Sequence, residues 1–169
     1  PLSGTSHPCA GADFIDWGSG EFGFLYKYKT RGSKAVIKGA EIDLKYNLEN
    51  ILLNYNLSFV NGDNKTIDRP LSYINPTKQI LTLDYNKDYI NYKLRFSKIH
   101  SQNRLGEFET YTPGALLTDF VISYNYKFHS IALQLNNIFD EKYYNHLSRI
   151  KNITPEAGKN IHLVYKILL

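Results

Sequence analysis

The sequence predicts an all-β fold, an antiparallel up-and-down segment of a membrane β-barrel with about eight strands. Three observations predict it. Apolar and polar residues alternate along most of the chain, short and long connections take turns, and aromatic residues gather near the segment ends. Because neighbouring side chains of a strand point to opposite faces, each alternating segment has one apolar face and one polar face.

The alternating segments follow one another along the chain. The clearest is 90–97, in which every even-numbered residue is apolar and every odd-numbered one is polar. The eight predicted strands carry these apolar residues: Phe24, Tyr26 and Tyr28; Ala40, Ile42, Leu44 and Tyr46; Leu53, Tyr55, Leu57 and Phe59; Leu81, Leu83 and Tyr85; Ile90, Tyr92, Leu94 and Phe96; Phe120, Ile122, Tyr124, Tyr126 and Phe128; Ile131, Leu133 and Leu135; Ile161, Leu163, Tyr165, Ile167 and Leu169. Many segments approach the ~9–11 residues of a tilted membrane strand, whereas soluble strands usually have ~5–6.

The connections between these segments alternate in length from the second strand onward. Short links are predicted at 47–50, 86–88 and 128–130, and long loops near 61–76, 101–115 and 140–158. Outer-membrane barrels have short turns on one rim and long loops on the other. The chain is therefore predicted to run up and down, with its C-terminus on the short-turn side.

The aromatic residues sort by level in this scheme. The short-turn rim would hold Tyr46, Tyr85, Tyr89, Tyr92, Tyr126 and Phe128, and the long-loop rim Phe59, Phe96 and Phe120. Amphipathic rings are most stable at headgroup level, which predicts two aromatic girdles. The alternative is that tyrosine simply favours strands.

Residues 1–21 lack the alternation and are rich in Pro, Gly and Ser. We predict an irregular N-terminal segment at 1–21 and barrel strands over 22–169. Because the chain starts at Pro1, we expect that a leader has been removed or that the sequence is a piece of something longer.

Composition excludes several classes of protein. The 169 residues include 14 Tyr and 9 Phe, and no apolar run approaches the ~18 residues of a membrane-spanning helix. The net charge is only +4 and the Lys and Arg residues are dispersed, which disfavours nucleic-acid binding. The single Cys9 excludes an internal disulfide and a cysteine-based zinc site.

Three stretches in the last third of the chain resemble the C-terminal end of TonB-dependent outer-membrane receptors. They are Gln102–Arg104 with Glu107–Thr110 and Thr112–Gly114; Leu135–Asp140 with Lys142–Tyr144; and Pro155–Asn160, which opens the last strand. Lys38–Glu41 also resembles the strand start of that family. The family usually ends on an aromatic residue, whereas this chain ends on Leu169.

This resemblance implies a fold and a function. The chain would be the closing third of a barrel of ~22 strands in the bacterial outer membrane, facing lipid outside and a plug domain inside. With energy from the TonB system, the receptor would import a metal chelate: an iron–siderophore, haem, cobalamin or another metal complex. No enzymatic activity and no cofactor are expected.

The sequence shows no catalytic constellation, and its histidines, His7, His100, His129, His146 and His162, lack metal-ligand spacing. Substrate contacts from the long loops are expected at His100, Arg104, His146 and Arg149, although a solvated surface would also explain them. The resemblance implies that polar residues facing the lumen contact the plug: Lys93, Arg95, Gln134, Asn136, His162 and Lys166, with Glu41 and Asp43. A wet lumen alone would equally require polar residues there. Asp140 is expected to have a structural role, bonding the turn backbone.

Two other classes of protein stay open at this point. One is a self-contained eight-stranded outer-membrane barrel with a structural or adhesive role, since eight strands can close around side chains. The other is a soluble ligand-binding barrel, which would turn its apolar faces inward.

Overall fold

The computed structural model describes residues 14–16, 24–26 and 32–167. The chain forms two compact units, 1–34 and 35–169. In the first unit, strand β1 (Phe14–Asp16) pairs antiparallel with β2 (Phe24–Tyr26). β2 is the described part of the first predicted barrel strand, and its partner β1 lies where only irregular chain was expected. The division into 1–21 and 22–169 stays a prediction, and Tyr28, Cys9, His7 and Leu169 lie outside the described residues.

The second unit is one antiparallel sheet. Its strands are β3 (Ala35–Leu48), β4 (Ile51–Asn64), β5 (Arg69–Pro70), β6 (Lys78–Lys87), β7 (Ile90–Ile99), β8 (Ala115–Tyr126), β9 (His129–Asn136) and β10 (Asn160–Ile167). The order is β10-β9-β8-β7-β6-β4-β3, with the short β5 pairing to β4 only. The seven long strands each lie beside their sequence neighbours, which confirms the predicted up-and-down chain path.

The short links are tight two-residue turns at 49–50, 88–89 and 127–128. Each turn begins with a residue in the left-handed region, Glu49 (φ 48°), Asp88 (φ 51°) or Lys127 (φ 50°). The chain therefore reverses within two residues, as the predicted short links require. The first long loop starts later than predicted because β4 continues to Asn64, and it contains β5.

The strand register aligns the apolar rows of all seven long strands. Leu44 lies opposite Tyr55, and Tyr55 lies opposite Leu81, which in turn lies opposite Phe96. The same holds at the other end, where Leu133 lies opposite Leu163. One continuous surface results, called the apolar face below. It consists of the even-numbered residues of β3, β7 and β8 and the odd-numbered residues of β4, β6, β9 and β10.

The opposite surface, called the polar face below, is equally continuous. Asp43 lies opposite Asn56, Thr82 opposite Arg95, and Gln134 opposite His162. The predicted alternation is confirmed strand by strand, because a slip of one residue between any two strands would mix the two faces.

The apolar face packs on nothing within the described part of the chain. No hydrophobic residue there is buried, and Leu44 and Leu163 stay 60% and 69% exposed. A soluble barrel or sandwich would bury such a surface in a dry core. The described sheet is also open, with β3 and β10 at its edges, so the described residues do not form the self-contained eight-stranded barrel. They contain no helix long and apolar enough to span a membrane.

Aromatic rings gather near the short turns on the apolar face. Tyr89 packs edge-on against Tyr126 with ring centroids 5.1 Å apart, and it also lies 6.3 Å from Tyr124. Tyr85 and Tyr92 lie 6.2 Å apart across β6 and β7. This grouping matches the predicted aromatic level at the short-turn rim.

Candidate functional site

The three long connections lie at the same end of the up-and-down sheet. We call residues 71–77 loop A, residues 100–114 loop B and residues 137–159 loop C. Each joins two strands at the end opposite the short turns. Their contacts with one another and with the polar face define the candidate site.

Loop C is fixed at its start by a carboxylate of the sheet. Asp119 of β8 accepts a hydrogen bond from the backbone N–H of Asn137 (2.9 Å) and another from the Arg95 guanidinium (2.9 Å). Asn137 is buried and left-handed (φ 49°), and its side-chain amide forms two 2.9 Å bonds with the backbone of Glu141. The first turn of loop C is therefore held through both the backbone and the side chain of Asn137.

A second carboxylate closes the loop at its base. Asp140 Oδ1 accepts a hydrogen bond from the backbone N–H of Lys159 (2.8 Å) at the far end of loop C. A Cβ atom at Gly158 would lie 2.6 Å from that oxygen, so any larger residue there would displace the Asp140 carboxylate. Asp140 bonds a backbone N–H as predicted, but the partner lies at the opposite end of the loop and not in its own turn.

The loops meet in a buried cluster formed by Glu109, Thr112, His146 and Lys151. The side chains of Glu109 and His146 are only 5% and 0% exposed. Lys151 Nζ donates to the Thr110 carbonyl (2.6 Å) and to Thr112 Oγ1 (2.7 Å), and it lies 3.2 Å from His146 Nδ1. A buried ammonium group needs such compensation for lost water.

The cluster determines the histidine tautomer. An ammonium group has only donors, so His146 Nδ1 is the acceptor of the pair and the ring proton lies on Nε2. Nε2 lies 3.2 Å from Glu109 Oε1, although it is not aligned for a full hydrogen bond. The Glu109 carboxylate also accepts from the backbone N–H groups of Tyr73 (2.6 Å) and Gly106 (2.7 Å). Glu109 therefore ties loops A, B and C together.

Burial and charge keep this imidazole neutral. Burial, and then the neighbouring Lys151 ammonium, lower the pKa of His146 below its usual 6.5, against the opposing pull of Glu109. Burial also lowers the pKa of Lys151. A positive charge on the ring would lie beside the Lys151 ammonium, so the cluster favours the neutral form of His146.

The other predicted loop residues are also engaged in contacts. The Gln79 amide donates to His100 Nε2 (2.9 Å), and Arg104 pairs with Asp63 of β4. The Arg149 guanidinium lies 5.8 Å from the ring centre of Tyr73. His146 contacts loop B and Arg149 contacts loop A, whereas His100 and Arg104 contact strands of the sheet. The substrate role of all four stays a prediction.

A cavity of about 410 Å³ lies between loop C and the polar face. Its walls come from three places: Ser58, Lys78 and Ile99 of the strands, Asn75 and Pro76 of loop A, and Tyr143, Tyr144, Asn145, His146 and Glu156 of loop C. Sequence reasoning identified only His146 among these. For the rest, the available signals were two family-like stretches, which contain Tyr143 and Tyr144 and, further on, Glu156.

The six residues predicted to face the lumen all lie on the polar face. Lys93 pairs with Asp84 (3.2 Å) and Arg95 with Asp119 (2.8 Å). The Asn136 amide donates to Asn160 (2.8 Å), while Gln134 lies opposite His162 and Lys166 opposite Ser130. Glu41 and Asp43 share this face on β3. The described residues hold no group of three or more His, Cys, Asp or Glu positioned for a metal ion.

A two-faced sheet without an apolar core, with tight turns at one end and long loops at the other, is the wall of an outer-membrane β-barrel. The chain belongs to the TonB-dependent receptor β-barrel family: the family model described as "TonB dependent receptor-like, beta-barrel" matches residues 8–138. This confirms the resemblance and the bacterial outer membrane as the location.

Solved structures show the same fold. Among 43 matching chains is the copper transporter OprC, with 21% sequence identity and a TM-score of 0.73. The match covers 80% of this chain and 24% of that chain, so this chain spans about a quarter of the transporter. No curated protein sequence matches. At this identity the likeness shows the fold alone.

Proposed function

We propose that this chain forms part of the wall and outer rim of a TonB-dependent receptor that imports a metal chelate. The proposal rests on the two continuous faces of the sheet. Within the described residues, nothing packs on the apolar face, and loop C partly covers the polar face. In a barrel the first would face lipid and the second the lumen.

The loops support a role in binding a substrate at the outer rim. Loop C is fixed at both ends and joined to loops A and B through Glu109, so it forms a cavity wall before any ligand arrives. Preorganised walls lower the ordering cost of binding. The cavity is lined by phenol, amide and charged groups, which suit the organic shell of a chelate better than a bare ion.

The polar face supports a contact with a plug domain. Lys93, Arg95 and His162 present charge or hydrogen-bonding capacity towards the space that the complete barrel would enclose. We infer that Lys93, Arg95, Gln134, Asn136, His162 and Lys166 meet the plug, and that Glu41 and Asp43 contribute acidic partners.

Metal content of cells tests this proposal. A strain lacking the full-length receptor should contain less of one metal than wild type under scarcity of that metal, as measured by elemental analysis for Fe, Cu, Co and Zn. Loss of TonB should give the same deficit, and the receptor gene in trans should restore the level. Unchanged metal content in the deletion strain, or a deficit that is independent of TonB, would contradict the proposal.

A further inference from the structure

The cavity under loop C is lined by two side chains of opposite charge that form no ion pair with each other. Lys78 of β6 and Glu156 of loop C both line it. Within the described part of the chain, neither side chain forms an ion pair or a side-chain hydrogen bond, unlike Lys93, Arg95 and Arg104. Both charges are therefore available to a ligand.

The two charges differ in their setting. Lys78 is exposed and lies on the polar face, opposite Ile99 and Ser58, at the floor of the cavity. Glu156 is half-buried, and its backbone N–H is bonded to the Tyr143 carbonyl (2.9 Å). The floor thus carries the cation and the roof the anion.

The roof also supplies aromatic surface. Tyr143 and Tyr144 line the same cavity. Burial, and next the Glu156 carboxylate, raise the pKa of Tyr143, so the phenol stays protonated and lies within electrostatic reach of Glu156. A ligand ammonium group beside Glu156 would therefore also lie near an aromatic ring.

We propose that this cavity is a binding site for a small organic zwitterion. Lys78 would bind the anionic group of the ligand, Glu156 would bind its ammonium group, and Tyr143 and Tyr144 would cover its apolar part. The volume of about 410 Å³ lies within the usual range of small-molecule sites, ~300–1,000 Å³. The idea that the zwitterion is the organic part of a transported chelate rests on the proposed function, whereas binding itself does not.

Three probes of one shape test the charge requirement: phenylalanine, 3-phenylpropionate and phenethylamine. They share a phenyl ring and carry both charges, the negative charge alone or the positive charge alone. Titrated calorimetrically at pH 7.5 into the full-length receptor in detergent, phenylalanine should bind about tenfold or more tightly than either other probe. This factor corresponds to one charge-assisted bond of ~1.4 kcal/mol or more.

Matched variants assign each charge. Lys78→Gln should reduce phenylalanine affinity to about that of phenethylamine for the wild type, and Lys78→Arg should retain binding. Glu156→Gln should reduce it to about that of 3-phenylpropionate. Lys98→Gln is the control, because Lys98 is an exposed lysine on the apolar face of β7.

Equal affinities for the three probes, no detectable phenylalanine binding, or wild-type binding by both glutamine variants would overturn the site. Heat-modifiable migration on gels verifies that each variant is folded. Failure of TonB-dependent metal uptake with intact phenylalanine selectivity would overturn the proposed function and leave the site standing. Intact uptake without probe selectivity would do the reverse.

Discussion

At the scale of single residues, two carboxylates hold the outer rim in place. Asp119 joins the Arg95 guanidinium of β7 to the start of loop C, and Glu109 joins loops A, B and C. Both side chains are mostly buried, at 13% and 5% exposure. Removing either leaves several donors without an acceptor, which costs more than losing an exposed ion pair.

Asp119→Ala should destabilise the protein by about 1.5–3 kcal/mol, because two charge-assisted hydrogen bonds are lost and the buried Asn137 N–H is left unpaired. Urea unfolding in lipid vesicles measures this. Asp43→Ala is the matched control: Asp43 pairs with Lys45 at 3.4 Å with both side chains at least half exposed, so its loss should cost no more than about 1 kcal/mol. Equal effects for the two variants would contradict the role of Asp119.

The buried cluster predicts a pH dependence with a definite sign. The pKa of His146 is lowered in the closed loops, so open loops take up the proton first as pH falls. Closure is therefore fully stabilised above pH 6.5 and is weakened as pH drops from 6.5 through the lowered value. The groups facing the ring are Glu109 and Lys151, with Lys78, Tyr143, Tyr144 and Glu156 around the adjoining cavity.

Hydrogen exchange of loops B and C, corrected for intrinsic rates, should show faster exchange at pH 5 than at pH 7.5. His146→Gln, which cannot be protonated, should remove this difference, whereas His162→Gln on the polar face should retain it. A pH dependence that persists in His146→Gln would assign the titration to another group.

At the scale of strands and loops, the sequence was sufficient for the sheet and insufficient for the rim. Alternation, as over 90–97, specifies which residues share a face and therefore fixes the register between strands. Tight turns place each strand beside its sequence neighbour, which fixes the strand order. β4 runs on to Asn64 because backbone pairing continues where the side chains are already polar. Strands β1 and β5 were missed because three- and two-residue strands have no measurable period.

The buried cluster was beyond sequence reasoning for a different reason. Glu109 and His146 belong to different loops and meet because the antiparallel pair β8 and β9 returns the chain to the same end of the sheet. No spacing rule predicts such a pair. Glu109 lies in one family-like stretch and His146 follows another, but neither stretch indicates that the two residues meet.

A charge on the apolar face should impair assembly far more than the same charge on the polar face. Leu94 lies opposite Leu83 and Phe120 in the centre of the apolar face, so Leu94→Arg should cost about 2–4 kcal/mol in the bilayer. Ser123→Arg is the control on the polar face of β8. Heat-modifiable, protease-resistant receptor in outer membranes should fall strongly for the first variant and little for the second. Equal yields would contradict the assignment of the faces.

At the scale of the whole molecule, the described sheet has two open edges. β3 is a 14-residue edge strand whose residues are all exposed, and β10 forms the other edge. Long exposed edges invite pairing with another strand. In the proposed receptor, further barrel strands would pair with β3 and β10, and the polar face would enclose the plug.

The proposed receptor depends on which face of the sheet meets lipid, and spin-label accessibility measures this orientation. The full-length receptor with Cys9→Ser would carry one spin-labelled cysteine at a time and be reconstituted in lipid. The first four positions are on the apolar face: Leu83, Leu94, Ile122 and Leu133. The second four are on the polar face: Thr82, Arg95, Ser123 and Gln134. Collisions with oxygen, which concentrates in lipid, should dominate for the first four positions. At the second four positions, collisions with oxygen should be fewer than collisions with a water-soluble nickel chelate. Where the plug covers a position, both kinds of collision should be blocked. Oxygen accessibility that is equal on both faces, or higher on the polar face, would contradict the account.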